Sequence, residues 1–110
     1  MHKVVINSTP LIALAHINKL HLLNKLYGEV EVMILAKEVC SDLVVIDDKN
    51  AKKHAKYLGL NVTGTLGILI KAKQKGFIKE VKPLLLELKN KGIYISDNVI
   101  DMCLKAANEK

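Results

Sequence analysis

Residues 42–67 read DLVVIDDKNAKKHAKYLGLNVTGTLG, and the fold is decided there. Leu43–Ile46 is a short apolar run, closed by Asp47-Asp48. A helical pattern follows over Lys49–Leu58 and stops at Gly59. A second short run, Leu60-Asn61-Val62-Thr63, leads into Gly64-Thr65-Leu66-Gly67, which opens another helix. The order is strand, helix, strand, helix. Continuous apolar strands joined by a helix point to a parallel sheet buried on both faces. In such sheets ligands bind beyond the carboxyl ends of the strands. The first strand carries two adjacent carboxylates to that edge. The second carries Thr63-Gly64-Thr65 with a helix N-terminus behind it.

The chain has 110 residues, enough for one domain with one core, and half of them are hydrophobic. With one Phe and no Trp, the core is aliphatic and not an aromatic stacking platform for bases. The formal net charge is +6. That balance favours polyanionic partners, nucleic acid above all, and a solvated Lys-rich surface explains it equally well. Every positive charge is Lys; there is no Arg, so phosphate would meet point charges rather than bidentate forks. Cys40 and Cys103 lie far apart in sequence and make no metal-ligand spacing, which suggests reduced thiols in a cytoplasmic protein. No signal-peptide pattern precedes the first strand. The apolar stretch 4–17 is interrupted by Asn7, Ser8, Pro10 and His16, so no membrane partner is expected.

Outside the central stretch, Lys3-Val4-Val5-Ile6 reads as another buried strand. Asn7-Ser8-Thr9-Pro10 ends it and starts a helix over Pro10–Ile17, capped by Ser8 or Thr9. A short helix over Leu20–Leu26 ends at Tyr27-Gly28. Residues 29–39 carry Val32, Leu35, Ala36 and Val39 at helical spacing, so a helix is expected there, with Glu29 and Glu31 in its first turn. Further helices are expected over Gly67–Lys75, Pro83–Lys91 and Asn98–Asn108. Ile93-Tyr94-Ile95 should be short and extended, with Ser96-Asp97 capping the last helix.

Each candidate motif has two readings. Adjacent carboxylates at a strand end are unfavourable unless a cation or donors neutralise them. Asp47 and Asp48 could hold Mg²⁺, which needs only one or two carboxylates plus water and phosphate. Equally, Asp48 could cap the helix that starts at Lys49, with Asp47 as a turn former. If the first strand neighbours Leu43–Ile46, Asn7 comes close to this pair and could add a neutral oxygen ligand, or it could simply serve the turn. Thr63, Gly64 and Thr65 could bind a phosphate through backbone N–H groups and hydroxyls, although neither a P-loop nor a GxGxxG pattern is present. No histidine pair has metalloprotease spacing, and no Ser or Cys sits in a nucleophile elbow.

Taken together, three strings resemble the PIN-domain superfamily, specifically its DUF3368 branch. They are VVINSTPLIALAHINKLHLLNKLYGEV, then GEVEVMILAKE, then DLVVIDDKNAKKHAKYLGLNVTGTLGILIKAKQKGFIKEVKPLLLELKNKGIYISD, whose portion from GTLG to YISD is the most specific. The resemblance covers nearly the whole chain. It implies a Rossmann-like α/β three-layer sandwich with a small parallel sheet of about three main strands and helices on both faces. It also implies a metal-dependent ribonuclease related to VapC-type toxins, which pair with antitoxin proteins and use Mg²⁺ or Mn²⁺ against RNA. On this likeness Asn7 stands where many such enzymes have the first Asp, and Glu29 matches the acid that opens GEVEVMILAKE. Asp47 or Asp48 matches the last acid at a strand end, with Asp48 preferred.

Asn for Asp at position 7 is one departure from the family pattern. The other is larger. A strand and helices that the family places between LYGEV and GEVEV are merged here into a single Gly28-Glu29-Val30, so residues 1–110 form one PIN-like domain lacking the usual segment near residue 28. The expected consequence is an exposed apolar edge at Val4–Asn7 and a homodimer that covers it. The functional alternatives are a catalytically inactive nucleic-acid-binding protein or a dimerisation protein of the same fold.

Overall fold

Val4, Val5 and Ile6 are three consecutive apolar residues, and all three are buried. Only a strand covered on both faces permits that. The computed structural model describes residues 2–28, 30–34 and 43–110, with residues 2, 3 and 30–34 described by their backbone alone. Its elements are β1 (His2–Ile6), α1 (Ser8–His16), α2 (Leu22–Tyr27), β2 (Val30–Ile34), β3 (Leu43–Val45), α3 (Lys49–Tyr57), β4 (Val62–Thr63), α4 (Thr65–Gln74), α5 (Lys82–Asn90) and α6 (Asp97–Ala106). The strands form one parallel sheet in the order β2-β1-β3-β4. The fold is therefore α/β, and the three strands expected side by side are side by side.

The registers fix which residues share a face. Val5 pairs with Val44 and Ile6 with Val45, while Val44 pairs with Val62 and Val45 with Thr63. Because successive side chains alternate, Val4, Ile6 and Val45 face one way. There they join the main core with Leu14 of α1, Leu22 and Leu23 of α2, Ile68 and Leu69 of α4, Leu85 and Leu88 of α5, and Leu104 of α6. Val44 and Ile46 face the other way and meet, among the described residues, a thin cover of Ala51 and Ala55 of α3 with Leu60 and Val62 beside them. Cys103 lies buried in the main core. Burial pushes its thiol above the ordinary value and the charge of Glu109 pushes the same way, so it is a packing residue and a poor nucleophile.

Residues 30–34 correct the expectation of a helix from residue 29. They form β2, paired in parallel with β1 from His2↔Val30 to Ile6↔Ile34. Val-Glu-Val-Met-Ile is a β-favouring string, and an open side of a buried strand is a stronger determinant than an eleven-residue helical spacing. This pairing also removes the exposed edge. β1 has a neighbour on each side, so the expected homodimer loses the surface from which it was inferred. The remainder of the expected helix, with Cys40 and Asp42, lies outside the described residues, as does Glu29.

Five of the six helix starts divide into two kinds. Asn7, Asp48 and Ser96 cap α1, α3 and α6 with their own side chains, accepting from the backbone N–H of Ser8, Ala51 and Val99. Asn7, rather than Ser8 or Thr9, is thus the cap of α1. Gly64 and Val81 begin α4 and α5 and provide no side-chain cap. Those two helices take carboxylates from elsewhere in the chain.

Candidate functional site

The carboxyl edge of the sheet gathers the candidate residues. β1 continues into Asn7, whose N–H donates to the Val45 carbonyl at 2.8 Å. β3 continues into Ile46, whose N–H donates to the Thr63 carbonyl at 2.8 Å. Asn7, Asp47, Asp48 and Thr65 therefore all stand at one end of adjacent strands.

Different partners separate the two aspartates. Asp47 reaches the start of α4. Its Oδ1 accepts the Thr65 N–H at 2.7 Å, and its Oδ2 accepts the Thr65 hydroxyl at 2.6 Å. Thr65 is itself buried. Asp48 is exposed, and its Oδ2 accepts the Ala51 N–H at 2.8 Å at the start of α3. Asn7 Oδ1 accepts the Ser8 N–H at 2.8 Å. Each of the three residues thus already has a structural partner.

Gly64 sits at a crowded point. A methyl group there would stand 2.6 Å from Asp47 Oδ1, 2.7 Å from Lys52 Nζ and 3.1 Å from the Ile46 carbonyl oxygen. The Lys52 ammonium and the Asp47 carboxylate accordingly close on the same point of backbone. A methyl at Gly67 would collide with the Thr63 hydroxyl, so Thr63 is turned toward the first turn of α4. The expectation that Thr63, Gly64 and Thr65 cradle a phosphate meets a specific obstacle, because the N–H and hydroxyl of Thr65 are both engaged by Asp47.

A pocket of about 430 Å³ opens beside Asp47. Its lining combines polar Thr9, Asp47, Lys52 and Ser96 with apolar Ala13, Leu66 and Leu88, and the exposed Tyr94 also lines it. In the sequence Lys52 is one of four lysines in the helical stretch Lys49–Leu58, and Tyr94 lies in the extended segment Ile93-Tyr94-Ile95. The signal for Tyr94 was the Ile-Tyr-Ile alternation, which buries Ile95 and turns the residue between outward. Nothing local marked Lys52 apart from Lys53 or Lys56.

Mg²⁺ or Mn²⁺ takes hard oxygens, and one or two carboxylates suffice when water and phosphate complete the shell. Asp47, Asp48 and the neutral oxygen of Asn7 are such donors, and a carboxylate that accepts one bond per oxygen keeps further acceptor capacity. The set fits a cation of this kind at the minimum. Among the described residues no three His, Cys, Asp or Glu side chains converge. Among the same residues no helix is long and apolar enough to cross a membrane.

The family model DUF3368, described as a PIN domain, matches residues 27–109, from the end of α2 to three residues beyond α6. No curated protein and no solved structure matches the chain.

Proposed function

Because the chain belongs to the DUF3368 branch of the PIN-domain proteins, we propose that it is a metal-dependent endoribonuclease related to VapC-type toxins, acting at the carboxyl edge of its sheet. The observation that carries this reading is the clasp between Asp47 and Thr65. It fixes a carboxylate beyond the end of β3, in the lining of a pocket that it shares with a lysine. Asp47 and Asp48, with the Asn7 oxygen, would hold Mg²⁺ or Mn²⁺. Such an ion, when bound, supplies Lewis-acid stabilisation of the charge that develops on a phosphodiester. Thr65 orients the Asp47 carboxylate by donating to both of its oxygens. Lys52 attracts the phosphate, and the exposed Lys49, Lys53 and Lys56 of α3 extend positive charge along the path of the strand.

A second reading, a PIN protein that binds RNA without cleaving it, is favoured by one observation. Position 7 carries an amide in place of an acid, and that amide caps a helix.

Cleavage of a labelled single-stranded RNA in Mn²⁺ separates the two. Wild type, Asp47→Asn and Asp48→Asn would be compared after circular dichroism shows all three folded. Cleavage by wild type that disappears in Asp48→Asn supports the nuclease. Equal cleavage by all three proteins identifies a contaminant and removes the support. Salt-dependent RNA binding with no turnover establishes the second reading. Neither binding nor cleavage ends both.

A further inference from the structure

We propose that the pocket beside Asp47 holds one unpaired nucleobase of single-stranded RNA, stacked on Tyr94, with Lys52 at the adjoining phosphate. The proposal rests on the reading that RNA is the ligand of this edge and names how the strand is held there.

Tyr94 is 88% exposed, which is unusual for a large aromatic residue that ends a pocket wall. Its backbone is nonetheless pinned. On one side the Ile93 N–H donates to the Leu88 carbonyl at 3.1 Å, with Gly92 at φ 91° closing α5. On the other, Ile95 is buried and the Ser96 hydroxyl accepts the Val99 N–H at 3.3 Å to start α6. A ring presented by a fixed backbone has only two torsions left to order, so stacking on it loses little freedom.

The pocket has the chemistry of a base site and not of a polyphosphate site. Its volume of about 430 Å³ is that of a small-ligand pocket, and its lining is mostly apolar. Its one cation, among the described residues, is Lys52. A flat heterocycle would lie on the apolar lining against Tyr94 while its charged backbone stays outside, over the lysines of α3. Charge favours a polyanion, and the proposed function makes it RNA: the chain carries +6 overall, and α3 exposes Lys49, Lys53 and Lys56 along with the pocket lysine. Bases can be splayed into such a site only from single strands, because a duplex keeps them stacked.

The test uses the full chain in EDTA, so that cleavage does not intervene. Fluorescence anisotropy would follow a labelled single-stranded RNA of about ten nucleotides, within the site sizes of such proteins. Tyr94→Ala should bind about tenfold more weakly, with an unchanged salt slope, while Tyr94→Phe keeps wild-type affinity because stacking needs the ring and not the hydroxyl. Lys52→Ala should reduce the salt slope by about one. A 2-aminopurine in the strand should be quenched by wild type and not by Tyr94→Ala. If wild type binds RNA and Tyr94→Ala binds equally well, the base site is wrong and the RNA reading stands. If wild type binds no RNA, both fall. A dimer in sedimentation that Tyr94→Ala dissociates, with RNA affinity unchanged, would reassign the pocket to a contact between copies and overturn the proposal.

Discussion

Asp47 and Glu109 do similar work at two places in the molecule. Each reaches a helix that lacks a side-chain cap of its own. Asp47 takes the N–H and hydroxyl of Thr65, 18 residues on, at the start of α4. Glu109 takes the N–H of Val81 at 2.6 Å and of Lys82 at 3.0 Å, 28 and 27 residues back, at the start of α5. The surroundings differ. Glu109 keeps a side chain only 10% exposed and also pairs with Lys73 at 3.1 Å, so its charge is answered within the protein. Asp47 opens on a pocket that it shares with Lys52. The bond pattern alone therefore does not mark a functional carboxylate. Access does: one clasp is closed over by its own fold, the other faces space that a ligand can enter.

The sharpest way to break this comparison is Glu109→Ala. It leaves two helix-start N–H groups without their acceptor, one of them on fully buried Val81, and should destabilise the fold by about 2–3 kcal/mol. Urea denaturation with an unchanged m-value would measure it. RNA affinity of the folded variant should not change. A loss in affinity comparable to the loss in stability would show that the two clasps are not functionally distinct.

At the other clasp, Thr65→Val removes the hydroxyl and keeps the N–H. It should lower stability by about 1 kcal/mol, read in the same titration, and Thr65→Ser should restore it. Cleavage of RNA in Mn²⁺ should fall more steeply than stability does, because Asp47 loses the donor that holds its Oδ2. A parallel fall would make Asp47 a structural clasp like Glu109.

The smallest expected effect is in pH. Burial pushes the Glu109 carboxyl up, but the N–H groups of Val81 and Lys82 and the Lys73 ammonium outweigh it and hold the carboxyl below its ordinary value of 4.5. The unfolded chain therefore binds this proton more readily than the folded one, and stability rises with pH where the two states differ. The contribution is complete above 4.5 and is lost as pH falls through the lower folded value. Wild type should accordingly lose stability relative to Glu109→Gln on acidification below that point. Parallel curves for the two proteins, measured by thermal melting, would refute the assignment.

Caps show what was legible in the sequence and what was not. The local caps follow from residues within three positions of the donor they satisfy, and Asp48 before Lys49 or Ser96 before Asp97 can be read directly. The remote caps cannot, because nothing near Gly64 or Val81 names the carboxylate that will arrive from another strand or from beyond α6. The same limit applies to the pair at 47 and 48. Adjacent in sequence, they suggested one shared site. In the structure they bond to different helices, Asp47 to the start of α4 and Asp48 to the start of α3.

By itself, then, the sequence determined the α/β order of the elements and the burial of β1 and β3, because continuous apolar runs and Gly or Asp punctuation act over a few residues. It also determined that carboxylates would stand at the carboxyl edge. Tertiary structure decided three things. It made residues 30–34 a strand, because an open side of β1 was available to pair with them. It gave Asp47 to Thr65 and Glu109 to α5. It brought Lys52 and Tyr94, far apart in the chain, to one pocket. In each case the outcome depends on which distant groups the packed sheet and helices bring within bonding distance, and local pattern carries no record of that.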